Sequence, residues 1–300
     1  MRAWRAAAAL AFALAGGAAQ AGALRYCDTP TELTHEQRDR LFRFAEVVRS
    51  ELQASGQRIA LVSRAGIDLS RFGERYSHAG LTLQGNAMAP WSVRQLYYAC
   101  EDREPKLFDQ GMLAFVLGMN EPQLGYVSIV LLPPEDGAEI ERRALDNRHA
   151  LQLLGSRYSA NAYPFNPRYQ NCNQWVAELL ASARGTLDDG DGLRERAQGW
   201  LKAQGFQPTV FDGGFRPLMW AASHLVPWLH EDDHPREDLS LRRYLVAMPA
   251  SIEAFVQATV PGAERVELCH DGRRAVLHRG WKPVAEGCVP EEGDTVIPFD

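Results

Sequence analysis

Excess positive charge, a second long apolar run, internal repeats and low-complexity linkers are all missing from this 300-residue chain. Lysine and arginine number 32 against 38 aspartates and glutamates, a net charge of −6, so there is no basic footprint for nucleic acid. Beyond the N-terminus no apolar stretch is long enough to cross a bilayer, and no transmembrane segment is expected. Cysteine is scarce, 5 residues in all, too few for a fold stapled throughout by disulfides. The odd count leaves one thiol over.

What is present starts with a short basic stretch, Met1-Arg2-Ala3-Trp4-Arg5, followed by apolar residues from Ala6 to Ala15 and the small-residue exit Ala18-Ala19-Gln20-Ala21. Residues 1–21 thus read as a secretory signal peptide, with cleavage after Ala21 or Ala23 fitting equally well. Cys27 follows Arg25-Tyr26 and lacks the small residues of a lipoprotein cleavage site. The expected location is the periplasm or the outside of the cell, where thiols oxidise. Cys269 and Cys288 bracket an Asp271-Gly272 turn and form one expected bridge. Cys27, before the first helix, and Cys100, at a strand end, form the other. Cys172 is then unpaired, although connectivity stays open and a Cys172–Cys269 bridge is the rival.

The order of elements predicts an α+β fold. Thr34-His35-Glu36-Gln37 is a capping-box pattern that opens a helix with an apolar stripe at Leu41, Phe44, Val48 and Leu52. Strands are expected at Ile59–Ser63, Tyr76–Gln84, Trp91–Cys100 and Leu124–Leu132, then a helix from Glu135 to Leu154. A tyrosine-rich loop, Gly155–Gln170, delivers the chain to a helix that starts at Cys172 and ends near Gly185. The acidic, glycine-rich Asp188–Gly192 stretch is the best boundary. It divides a core over residues 22–185 from a C-terminal extension over 186–300, which holds helices at Leu193–Ala203 and from Pro249 and a hairpin over Val266–Leu277.

Chemistry concentrates at two places. Cys172 stands at the mouth of its helix, and a helix N-terminus with a nearby imidazolium lowers a thiol pKa. His78 lies on the Tyr76–Gln84 strand, sharing a face with Gly80, which is expected to leave open space beside the imidazole. A symmetric hairpin across Gly85–Pro90 sets Gly80 opposite Gln95 and His78 opposite Tyr97, which makes Gln95 the orienter of the imidazole. A one-residue slip offers Ser92 or Arg94 instead. The bland readings are a structural histidine and a buried, inert cysteine. His224, His230 and His234 with Glu231, Asp232 and Asp233 read as a solvated acidic loop, so neither metal nor cofactor is expected. Trp220 and Trp228, in the apolar Leu218–Leu229 segment, read as core.

The order Tyr-Ser-His-Ala-Gly-Leu, an antiparallel strand, then Asn-Cys-Asn-Gln-Trp-Val at a helix start resembles the circularly permuted branch of the NlpC-type, papain-like thiol hydrolases, which includes the lecithin:retinol acyltransferase-like proteins. The whole chain also looks like a bacterial exported family of unknown function. The first resemblance, over Arg58 to Arg184, implies Cys172 as nucleophile and His78 as base; the third polar position is where the chain departs from the family's pattern, and Gln95 comes from the hairpin register alone. It implies cleavage of amide bonds, with cell-wall peptides as substrates by analogy. It also implies that the Cys172 amide and a side chain of Tyr169-Gln170-Asn171 act as oxyanion donors. Alternatives are acyl transfer or ester cleavage on lipid-linked substrates, and a non-catalytic envelope binding protein on the same scaffold.

Overall fold

The computed structural model describes residues 33–214 and 226–299. Helix α1 (His35–Ala54) starts at the capping box, where Thr34 Oγ1 accepts the Gln37 amide at 3.1 Å and Gln37 Oε1 accepts the Thr34 amide at 2.9 Å. Its stripe of Leu41, Phe44, Val48 and Leu52 is buried.

Against it lies an eight-stranded sheet: β1 (Ile59–Arg64), β2 (His78–Leu83), β3 (Ser92–Ala99), β4 (Glu104–Gln110), β5 (Gly125–Leu131), and, after a separate β6–β7 pair (Thr209–Asp212 with Arg243–Val246), β8 (Glu264–His270), β9 (Arg274–Arg279) and β10 (Thr295–Pro298). The order is β10-β9-β8-β5-β1-β2-β3-β4, and neighbouring strands run antiparallel. The fold is α+β with one large antiparallel sheet, as the sequence predicts.

Helices cover both sheet faces. On one, α1 and α2 (Met112–Leu117) bury Ala60, Val62, Val93, Val127 and Ile129. On the other, Ile59, Leu61, Ala79, Leu81 and Leu83 pack against α3 (Pro134–Leu145), the cysteine helix α5 (Cys172–Arg184), α6 (Leu193–Ala203) and α8 (Pro249–Thr259). Alternating residues of β1 and β2 serve the two layers, and both faces are apolar because both are covered.

Two local readings need correction. The helix expected over Glu135–Leu154 is two helices, α3 and α4 (Asn147–Gln152). Asp146 turns to ψ 102° between them and its carboxylate accepts the amides of Arg148 and His149. An aspartate is a better cap than a mid-helix residue, and capping wins over the apolar spacing. Strand β4 and helix α2 are absent from the sequence reading. β4 is an edge strand of mostly half-exposed residues, so it carries no clear alternation.

The segment beyond Asp188–Gly192 supplies β8–β10 to the same sheet. Its helix α6 is joined to α5 by a buried carboxylate, Glu178, whose bonds to Arg194 and Gln198 are 2.7–3.1 Å. The short helix α7 (Arg236–Ser240) precedes β7. Cys269 and Cys288 form the expected disulfide, with Cα atoms 5.6 Å apart. Cys27 of the other expected pair and the signal-peptide residues lie outside the described residues, as do His224 and Trp220. No helix among the described residues is long and apolar enough to cross a membrane.

Candidate functional site

Asn171 makes the cysteine helix start where it does. It holds extended backbone (φ −102°, ψ 174°), and its Oδ1 accepts the Gln174 amide at 2.7 Å. Cys172 therefore occupies the first helical position, and it is the free cysteine among the described residues. The β2–β3 ladder runs through Leu83–Ser92, Thr82–Val93 and Leu81–Arg94, the register expected from the sequence, and then stops. Asn173 fills the opening: its Oδ1 accepts the Ala79 amide at 2.9 Å and its Nδ2 donates to the Ser77 carbonyl at 3.2 Å. The residue after the cysteine is thus bonded to the backbone on both sides of His78.

His78 and Gln95 are brought together. Imidazole Nε2 lies 2.7 Å from Gln95 Oε1, and Gln95 Nε2 donates to Gln110 Oε1 at 2.5 Å. Because an amide oxygen only accepts, Nε2 carries the proton and Nδ1 is the basic nitrogen. Nδ1 has no hydrogen-bond partner among the described residues. The ring stacks on Tyr97 (4.8 Å between centroids) and faces Phe115 of α2 at 6.2 Å. The alternatives Ser92 and Arg94 do not reach it. Arg94 is bound to Asp109 and to the Ala144 carbonyl, and Ser92 Oγ is buried.

Cys172 and His78 are not hydrogen-bonded to each other. Alternation along β2 sends His78 toward α2 and Ala79 toward α5, where Cys172 packs. The two side chains therefore lie on opposite faces of the sheet, near the end where β2 and β3 part. Sγ donates to Asn173 Oδ1 at 3.6 Å.

Burial pushes the thiol up to about 11; the Asn173 backbone amide, the Arg64 charge, the Tyr158 hydroxyl and its own amide pull the other way without prevailing. Burial, reinforced by Arg64, holds the His78 imidazole down at about 3, and Gln95 offsets this in part. The expectation of a thiol lowered by an imidazolium is therefore corrected: at neutral pH the resting pair is thiol and neutral imidazole. Alkylation of Cys172 in native protein is expected to keep rising toward pH 11. A plateau near the ordinary thiol value of about 8.5, read by mass spectrometry of the labelled peptide, would contradict this.

Gly80 does not leave open space. A Cβ there would lie 2.5 Å from Val93 Cγ1 and 3.2 Å from Gln95 Cβ, so the neighbouring strand fills the site from within and fixes Gln95. The oxyanion donors suggested before Cys172 are committed elsewhere. Gln170 Nε2 binds Glu178 and the Leu153 carbonyl, Asn171 Nδ2 points at the Ala160 and Ala247 carbonyls, and Tyr169 stacks on His230 at 4.4 Å.

The acidic loop is less solvated than expected: His230 stacks on Tyr169, and Asp233 and His234 are buried. His234 Nε2 donates to the Asn161 carbonyl at 2.7 Å, and among the described residues no group of three His, Cys, Asp or Glu is placed to hold a metal. Trp228 is buried in the α5-side core, as expected. A Ser182–His149–Asp189 chain has the distances of a catalytic triad, 2.8 and 2.7 Å. Ser182, however, is fully buried within α5 and donates to the Leu179 carbonyl, so the chain ties the acidic stretch to that helix. The sequence reading missed Arg64 and Asn173. Asn173 carried a signal, a polar residue directly after the cysteine in the helix's first turn; Arg64 is placed only by the tertiary fold.

Residues 51–256 match a family described as an uncharacterized protein conserved in bacteria (DUF2145). The chain belongs to this family. The match begins within α1 and ends within α8, so it takes in His78, Gln95 and Cys172 and runs across the acidic stretch at residues 188–192. No curated protein and no solved structure matches the chain.

Proposed function

We propose that this chain is an exported cysteine hydrolase of permuted papain-like fold that cleaves amide bonds, with cell-wall peptides as the first substrates to test. The observation that carries the reading is an imidazole anchored through Nε2, with Nδ1 unfilled, on a strand clamped by the residue next to a free cysteine at a helix start. Starting from the neutral pair, Sγ attacks the carbonyl carbon as its proton is relayed through bound substrate or water to His78 Nδ1. That proton then goes to the nitrogen of the departing amine as the C–N bond breaks. Water, deprotonated by the same Nδ1, hydrolyses the thioester and regenerates the thiol. Gln95 keeps the tautomer correct, and the first-turn amide of Cys172 supplies a donor for the oxyanion.

The second reading, a binding protein on the same scaffold, draws support from the burial of both groups: Cys172 is 8% exposed and His78 7%. Turnover of purified muropeptides separates the two. Cys172→Ala is expected to lower cleavage by roughly 10³-fold or more while leaving Tm nearly unchanged, and His78→Ala to lower cleavage comparably. A wild type that cleaves no amide, combined with a Cys172→Ala variant that mainly loses stability, would establish the binding protein instead.

A further inference from the structure

Buried arginines in this fold are matched with carboxylates. Arg194 binds Glu178, Arg265 binds Glu253 and Glu267, and Arg94 binds Asp109. Arg64 is the exception. It is 3% exposed and has no carboxylate partner among the described residues; its Nε and Nη1 are buried without an acceptor. The position is nevertheless built. Nη2 donates to the Tyr97 hydroxyl at 2.6 Å, and the guanidinium carbon lies 5.3 Å from the centre of the Phe115 ring. The backbone around it is pared to glycine: a Cβ at Gly118 would fall 2.5 Å from Cζ, and one at Gly66 3.0 Å from Nη1.

Its place is at the candidate site. Arg64 pairs with His78 in the β1–β2 register, and its carbonyl accepts the amide of Ser77, the residue whose own carbonyl holds Asn173. The charge is felt by both reacting groups, lowering the thiol and the imidazole. A guanidinium that has given up water and gained one neutral hydroxyl and no carboxylate is costly, and removing a partner from a buried charge typically costs several kcal/mol. Such a cost is retained where an anion completes the group in the working state.

We propose that Arg64 is the anion-binding residue of this site, receiving a carboxylate that the substrate carries beside the amide to be cleaved. The proposal rests on the cysteine hydrolase reading and narrows its substrates to peptides or acylated amino acids with a free carboxylate near the scissile bond.

Two alkylating probes test it without requiring turnover. Iodoacetate carries a carboxylate, iodoacetamide is its neutral analogue, and the ratio of their rates at Cys172 cancels the thiolate fraction. In native protein that ratio is expected to exceed the ratio for N-acetylcysteine by about tenfold or more, a modest demand on a unit charge in a partly desolvated site. Arg64→Met should return it to the free-thiol value and Arg64→Lys should retain most of the preference. A wild-type ratio no higher than that of the free thiol overturns the proposal, and this arm needs no folded variant. So does a ratio that Arg64→Met leaves unchanged. Equal slowing of both reagents by Arg64→Met would assign the charge to the Cys172 thiolate and likewise overturn it. Failure of hydrolysis is scored separately by Cys172→Ala on muropeptides, so the two ideas fall independently.

Discussion

Glu178→Ala is expected to lower the stability of the folded chain by about 3–5 kcal/mol, the range seen when one partner of a buried ion pair is removed. Glu178 sits in α5, six positions after Cys172, and is fully buried. Its carboxylate accepts from Gln170 Nε2 at 2.6 Å, Gln174 Nε2 at 3.0 Å, Arg194 Nε and Nη2 at 2.8 and 3.1 Å, and Gln198 Nε2 at 2.7 Å. Truncation strands a guanidinium and three amides at once. Arg194 keeps the carbonyls of Pro167 and Tyr169, which cushions the loss without cancelling its charge. Against a typical total of about 5–15 kcal/mol the variant would be marginal or unfolded at 37 °C. Urea unfolding reads this directly: the midpoint should drop with an unchanged m-value, and Glu178→Gln should fall between. A loss below about 1 kcal/mol would mean that the amides and Arg194 find water, and that α6 is not locked to the cysteine helix.

Much of this arrangement was legible in the residues, and what was not has physical reasons. The capping box at Thr34, the alternation along β2 and the β2–β3 register are local signals, governed by spacing within a few residues, and each appears as read. The same register placed Gln95 within reach of His78. The odd cysteine count anticipated a free Cys172, and the Asp271-Gly272 turn anticipated the Cys269–Cys288 bridge. What spacing does not encode is desolvation. A helix N-terminus does act on the Cys172 thiol through backbone amides, but the surrounding core outweighs it, and core density around one atom is a property of the whole fold. Gly80 shows the same limit: the missing side chain was visible, but whether a ligand or Val93 fills the gap is decided by the neighbouring strand. Arg64 falls just past the strand expected at Ile59–Ser63, and only packing against Gly118 and Phe115 shows it turned inward.

Acid should destabilise this protein early, from just below pH 6.5, through two histidines held neutral by burial. His78 is depressed to about 3. His270 is depressed to about 4, mainly by burial and further by Arg40, with Asp271 opposing; its ring packs 4.7 Å from Phe44 and its Nε2 is buried without a partner. For a group whose folded pKa lies below its unfolded value, the stabilising contribution is complete above the unfolded pKa, near 6.5, and is lost as pH falls toward the folded one. Between pH 6 and pH 4 these two groups alone bind up to about two more protons in the unfolded chain than in the folded one, a slope approaching roughly 2.7 kcal/mol per pH unit, and His230, also lowered by burial, adds in the same direction. Carboxyls complicate the lower part of this window in both directions. Burial raises those of Glu253 and Asp233, whereas arginines lower those of Asp109 and Glu139. Variants isolate the histidines, because the carboxyl contributions cancel in the difference between proteins. Unfolding free energies of wild type, His78→Gln and His270→Gln at pH 5 and pH 6.5 should show each substitution removing close to one proton from the slope. If His78→Gln leaves the slope unchanged, the imidazole titrates normally. The resting site would then hold an imidazolium in mild acid, and Nδ1 would no longer be free to take the thiol proton there.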